Sequence, residues 1–238
     1  MDRELENRPG WSIDKYRVIL FDLFHTLTTV ESANAPGRGT STILGVSREA
    51  WNDQLLLYSR DRLCGKIKDP FEIIKRMARE IKPDISDKVV KEAVDNRISR
   101  FQYSLQNIPD TTINTIKLLK SRGKILGLIS NADATEIYGW HDSPLRKYFN
   151  CAVFSCDVGH VKPDKEIYQL GLKILGVLAC ESIFVGDGGS HELEGAKALG
   201  ITTVLTTYVV KHLWPEKIEG ARKFADFEVD ELSEILDI

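Results

Sequence analysis

The sequence predicts an α/β fold: a doubly wound parallel sheet with a helical domain inserted after its first strand. Three observations predict it. Short, almost wholly apolar runs recur along the chain, as strands buried on both faces of a parallel sheet require. From residue 110 to the end these runs alternate with helix-period segments, the order of a doubly wound sheet. Between residues 32 and 109 the alternation stops and only helical patterns occur.

Each element has its own signal. Residues 1–15 are charged and irregular and are expected to form a loose arm. The first strand is expected within Tyr16–Asp22, an apolar run that ends in a carboxylate. Ala33–Ser41, rich in Gly, Ser, Thr and Pro, reads as a linker. Arg48–Leu63 carries Trp51, Leu55 and Tyr58 at helical spacing, a stripe expected to face the core of the insertion. Asp69-Pro70-Phe71-Glu72 is a helix start, with an N-cap, a proline in the first turn and a glutamate placed for a capping box. Phe71, Ile74, Ala78 and Ile81 continue that helix, and Asp87–Gln106 gives another. Thr111–Arg122 follows, stopped by Gly123. The remaining strands are expected at Lys124–Ser130, Cys151–Ser155, Ser182–Asp187 and Thr202–Thr207. The helices between them are Glu166–Leu175 and Ser190–Leu199, the second running from a Ser190 cap to Gly200. The core thus comprises 16–31 and 110–238, and the insertion 32–109.

Composition narrows the function. The 238 residues carry 32 Lys and Arg against 35 Asp and Glu, a net charge of −3. Nucleic-acid and membrane-surface binders usually show a basic excess, so neither partner is expected. No apolar run reaches the ~18 residues of a membrane span, and the charged N-terminal segment lacks the apolar stretch of a signal peptide. Cys64, Cys151, Cys156 and Cys180 form no CxxC pair and read as buried free thiols in a reducing cytoplasm.

In a doubly wound sheet, ligands bind beyond the carboxyl ends of the strands. Asp22, Ser130-Asn131 and Asp187 end three of the expected strands, and Lys162 follows a fourth. Any one of them alone is a helix cap or a surface charge. Together on one edge they form a candidate site.

These residues resemble the four motifs of the haloacid dehalogenase (HAD) superfamily. The first is Phe21-Asp22-Leu23-Phe24-His25-Thr26-Leu27; the second is Ser130 with Asn131; the third is Lys162 with Pro163. The fourth is Val185-Gly186-Asp187-Gly188-Gly189-Ser190-His191-Glu192, followed by Gly195-Ala196-Lys197. They occur in order, and the resemblance extends from 16 to 236, where Ala225–Leu232 is similar to the family's last short strand and helix. It implies a Rossmann-like core and a C1-type helical cap at 32–109. It also implies a hydrolase that cleaves a small phosphate monoester through an aspartyl phosphate at Asp22. Thr26 would hold the nucleophile, and Ser130, Asn131 and Lys162 would bind the phosphoryl group. Asp22, the Phe24 carbonyl, Asp187 and Glu192 would hold Mg²⁺. Glu192 stands where the family more often has Asp, so water-mediated binding is expected of it.

Phe24 departs furthest from that pattern. Family phosphatases typically carry a second Asp two residues after the nucleophile, as general acid and base. An aromatic residue there is similar to the haloacid dehalogenases, which use Tyr and need no metal. The alternatives are therefore a metal-independent 2-haloacid dehalogenase and a slow or non-catalytic binding module. The acid pair Asp187 and Glu192 weighs against the dehalogenase, because clustered carboxylates without a cation repel. His25 is a candidate for the missing proton transfer, although alternation turns strand neighbours to opposite faces. His160 and His191 read as loop or helix-start residues. Tyr58, Arg60 and Arg62 of the insertion are candidates for contact with a substrate anion.

Overall fold

The computed structural model describes residues 12–30 and 35–238. A helical turn at Ile13–Lys15 leads into β1 (Val18–Phe21). Five helices follow: α1 (Thr40–Leu44), α2 (Arg48–Leu57), α3 (Ser59–Leu63), α4 (Pro70–Ile81) and α5 (Asp87–Gln106). The chain continues through α6 (Asp110–Ser121), β2 (Ile125–Ser130), β3 (Cys151–Phe154), α7 (Lys165–Leu175), β4 (Ser182–Gly186), α8 (Glu192–Ala198), β5 (Thr202–Thr206) and β6 (Phe227–Val229).

The six strands form one parallel sheet in the order β3-β2-β1-β4-β5-β6. Its period-two alternation feeds two cores. Ile19, Phe21, Leu126, Leu128 and Val185 face one side, and Val18, Leu20, Ile129 and Phe184 the other. Every residue of β1 is therefore buried, which is why its sequence is a continuous apolar run. The order reverses direction between β1 and β4. Crevices at such switch points are where doubly wound sheets bind ligands, and Asp22 and Asp187 end these two strands.

The inserted helices have a core of their own, built from Leu44, Trp51, Ile74, Met77, Val90 and Val94 among others. The expected stripes supply it: Trp51, Ile74 and Ala78 are buried, with Leu55, Tyr58, Phe71 and Ile81 packed against them. Asp69 caps α4 by accepting from Phe71 N–H at 2.7 Å.

Several boundaries differ from the expectation. The single helix expected at 48–63 breaks at Tyr58 into α2 and α3, and α3 carries Arg60 and Arg62 to acids of the core. The expected linker at 33–41 reaches only to Gly39, because Thr40 already opens α1; Ala33 and Asn34 lie outside the described residues. Residues 12–15 of the expected arm are tied down: Ile13 is buried, and Lys124 Nζ donates to its carbonyl at 2.8 Å. Residues 1–11 lie outside the described residues. Ser190 does not cap α8. Ser190 and His191 both take left-handed φ values, 53° and 55°, and the helix begins at Glu192. Of the four thiols, all free, only Cys156 is buried, and Cys180 is exposed. Among the described residues no helix is long and apolar enough to cross a membrane.

Candidate active site

Asp22 follows β1 directly, and its N–H continues the ladder to Val185 O of β4 at 2.9 Å. The side chain is buried and held on both oxygens. Thr26 Oγ1 donates to Oδ2 at 3.0 Å, and Lys162 Nζ donates to Oδ1 at 2.5 Å. Thr26 reaches back because residues 23–28 form a tight turn, with Leu27 and Thr28 N–H both bonded to Leu23 O. The same ammonium donates to Glu192 Oε2 at 2.5 Å. Lys162 thus bridges two carboxylates while almost wholly removed from water.

Glu192 sits in the first turn of α8 with its side chain folded back to the strand end. Its Oε1 accepts from Gly188 N–H at 3.1 Å. A Cβ at Gly186 would collide with that carboxylate, so the glycine makes the approach possible. Tyr168, on α7, donates to the Glu192 carbonyl at 2.8 Å. Asp187 accepts from Gly189 N–H at 2.8 Å, and its other oxygen lies 3.7 Å from His25 Nδ1. One oxygen each of Asp22, Asp187 and Glu192 falls within 4.8 Å of the others.

Three acids against one lysine leave an unbalanced negative cluster. Burial, only partly offset by Lys162, raises the Asp22 carboxyl above its ordinary range. Burial also lifts Glu192 well above its ordinary range, and Asp22 and Asp187 add to the effect. Asp187 moves the other way: burial would raise it, but the nearby His25 ring and the Gly189 hydrogen bond hold it low. This donor set suits a hard cation. The oxygens are carboxylates, they converge, and a divalent charge would relieve the repulsion that raises two of them.

Asn131 lies at the cavity edge, but its amide grips the Lys162 backbone, accepting at 2.7 Å and donating at 3.0 Å. Ser130 is fully buried, and its Oγ has no hydrogen-bond partner, a rare condition for an enclosed hydroxyl. His25 does face the cavity, on a left-handed backbone (φ 66°) uncommon for a non-glycine residue. Its ring meets Trp214 edge to face at 5.2 Å. Phe24 turns its ring toward the insertion, against Phe101 of α5.

The cavity beside Asp22 measures about 260 Å³. The insertion contributes Arg62, Leu63 and Phe101 to its wall. Arg60 pairs with Asp164 at 3.0 Å and Tyr58 bonds Glu80 at 3.2 Å. Arg62 donates to Asp133 at 2.7 Å. His160 and His191 are exposed, and His191 pairs with Glu194. Sequence reading missed Phe101, Leu63, Trp214, Glu136 and Tyr168. Phe101 and Tyr168 sat in expected helices, but nothing local marked which of their neighbours lay across the chain.

The pattern of the haloacid dehalogenase-like hydrolase family matches residues 16–200. The chain belongs to the haloacid dehalogenase-like hydrolases. A glyceraldehyde 3-phosphate phosphatase of Methanocaldococcus jannaschii is 30% identical over 130 residues, 53% of this chain and 54% of that one. A pyrophosphatase PpaX of Bacillus cereus is 31% identical over 130 residues, 54% and 58% of the two chains. The chain therefore spans little more than half the length of these relatives. The crystal structure of a dehalogenase superposes with a TM-score of 0.66 at 24% identity, covering 94% of this chain and 97% of that one. That likeness supports the Rossmann-like fold.

Proposed function

We propose that this hydrolase is a Mg²⁺-dependent phosphatase acting on a small phosphate monoester. One observation carries the reading: three buried carboxylates, Asp22, Asp187 and Glu192, converge at the switch point of the sheet, with Lys162 bridging two of them. A metal-independent dehalogenase has no use for that excess of acid.

Asp22 would be the nucleophile. A carboxylate oxygen attacks phosphorus, the bond from phosphorus to the leaving oxygen breaks, and an aspartyl phosphate remains for water to hydrolyse. Thr26 fixes the rotamer of the carboxylate. Lys162 places its charge beside the phosphoryl oxygens, where charge builds up in transfer. The unpartnered Ser130 hydroxyl would find its acceptor in a phosphoryl oxygen, and Asn131 would hold the Lys162 loop against the substrate. Asp22, Asp187, the Phe24 carbonyl and, through water, Glu192 would hold Mg²⁺, which supplies charge neutralisation and polarises the phosphoryl group. The helices of 35–109 act as a cap that excludes water and selects size.

A dehalogenase remains the second reading, because Phe24 presents an aromatic ring where a phosphatase would present an acid. The deciding experiment assays a panel of phosphomonoesters with and without Mg²⁺, with 2-chloropropionate alongside. Mg²⁺-dependent phosphate release that Asp22→Asn abolishes supports the phosphatase. Chloride release independent of Mg²⁺, with no phosphate release, overturns it.

A further inference from the structure

His25 borders a second cavity besides the one at Asp22. It measures about 180 Å³ and lies at the carboxyl end of the sheet, where Thr206 ends β5. The turn after β1 gives it Thr26 and Thr28, the first turn of α6 gives it Thr111 and Thr112, and Glu231 closes the set from the C-terminal segment. Most of the residues that line it carry a hydroxyl, and among them there is no lysine or arginine. Lys211, close by in the chain, is held by Asp230 at 2.7 Å.

Two of the hydroxyls stand out. Thr112 and Thr206 are only 6% and 3% exposed, yet neither hydroxyl has a hydrogen-bond partner among the described residues. Buried polar groups are rarely left so. Nor are these oxygens sealed off: the enclosed side-chain oxygens without a partner belong to Gln54, Ser104 and Ser130. The little surface that Thr112 and Thr206 keep is therefore the surface they turn to the cavity. The Glu231 carboxylate likewise bonds to no described residue. The first N–H groups of a helix have no intrahelical partner, and no side chain caps those of α6.

We propose that this cavity binds a small neutral polyhydroxy compound, a monosaccharide or a shorter polyol. Hydroxyl groups both donate and accept, and the wall asks for both: Glu231 only accepts, the N–H groups only donate, and the threonines do either. An anion would meet Glu231 with no cation to hold it. The volume, below that of pockets for drug-sized ligands, sets the upper limit of size. Tyr208, 46% exposed, adds an aromatic ring for the C–H groups of such a ligand. Once bound, the ligand would touch Thr26, which donates to Asp22, and Thr28, which accepts from His25 N–H at 3.3 Å. The site thus abuts the reaction centre without sharing its acids or Lys162. It does not depend on the phosphatase reading, because its test reads binding alone.

The test is saturation-transfer difference NMR with glycerol, D-ribose and D-glucose on the wild type, Thr112→Val, Thr206→Val and the double variant, without Mg²⁺. Saturable binding of at least one probe is expected in the wild type. Each valine should weaken it by about 3- to 10-fold, the worth of one neutral hydrogen bond, and the double variant should weaken it further. Valine keeps the shape and removes a hydroxyl that the protein does not use, so unfolding midpoints should stay at or above the wild-type value. A clear fall would show that the hydroxyl already serves the fold, and overturns the proposal. No saturable binding of any probe, or binding that all three variants leave unchanged, overturns it too. Inorganic phosphate that binds with the same sensitivity to valine, in place of the polyols, overturns the neutral class of ligand.

Discussion

The side-chain amide of Asn131 holds the Lys162 backbone at two points, accepting from its N–H at 2.7 Å and donating to its carbonyl at 3.0 Å. The grip ties the end of β2 to the loop that delivers the ammonium to Asp22. Asn131→Ala should leave both backbone groups short of a partner, at a cost of about 1–3 kcal/mol. Displacing a catalytic group by even an ångström can slow a reaction about 100-fold, so kcat should fall by roughly 10- to 100-fold in an otherwise folded protein. Asn131→Asp keeps the acceptor and should lose less stability. Wild-type kcat in Asn131→Ala would mean that Asp22 and Glu192 alone suffice to place Lys162.

The acids around that lysine should separate by their roles. Asp187→Asn should lower Mg²⁺ affinity and turnover together. Glu192→Gln should lower both by less, since its two oxygens are already engaged by Lys162 and Gly188. Titration calorimetry with MgCl₂ measures the affinities directly. Absence of Mg²⁺ binding to the wild type would remove the phosphatase reading and favour the dehalogenase.

Two neighbouring acids where the insertion meets the core should respond to pH in opposite senses. Burial alone would raise Asp133, but Arg97 and Arg62 outweigh it, and its carboxyl lies below the ordinary range. Its stabilisation is present above the ordinary carboxylate pKa and is lost as pH falls toward the lowered value. Glu136 is raised by burial and by Asp133. Its contribution is full at acid pH and shrinks as pH rises through the raised value. Removing one partner of a buried pair costs about 3–5 kcal/mol, so Asp133→Asn should approach that loss at about pH 7 and lose less at about pH 4. Glu136→Gln removes a carboxylate whose charge burial and Asp133 already disfavour, so it should cost less at pH 7, although it weakens the 2.6 Å contact with Arg97. Urea unfolding at the two pH values checks this, and equal losses for both variants at neutral pH would refute it.

The sheet was legible because burial on both faces writes itself into runs of four or five consecutive non-polar residues, as in Val18–Phe21 and the first five residues of Ile125–Ser130. Topology then placed Asp22, Lys162 and Asp187 on one edge without any knowledge of contacts. Features set by distant partners were not legible. The break at Tyr58 accompanies α3 turning Arg60 and Arg62 onto Asp164 and Asp133, residues 104 and 71 positions away. The left-handed pair Ser190 and His191 lets Glu192 fold back to Lys162, a geometry that overrides the helix-cap preference of serine. Composition likewise suggested that the thiols were internal, whereas Cys180 lies on the surface in the turn before β4.

Under the phosphatase reading, Phe24 should decide which step limits the reaction. Its ring meets Phe101 edge to face at 5.4 Å, so the position two residues after Asp22 packs on the insertion and offers no proton. Loss of a general acid–base typically costs ~10²–10⁴-fold in rate. An aryl phosphate leaves without protonation, so formation of the aspartyl phosphate should be little affected for p-nitrophenyl phosphate. Its hydrolysis still needs a base for the attacking water and should become limiting. The wild type should therefore release a burst of p-nitrophenol and then turn over slowly. Phe24→Asp should shrink the burst and raise the steady rate, while losing about 0.5–1.5 kcal/mol of aromatic pairing with Phe101. A wild type with no burst and a strong dependence on leaving-group pKa would show that another group already transfers the proton. His25, on the cavity wall beside Asp187, is the nearest such group. A folded Phe24→Asp with unchanged steady-state kinetics would lead to the same conclusion.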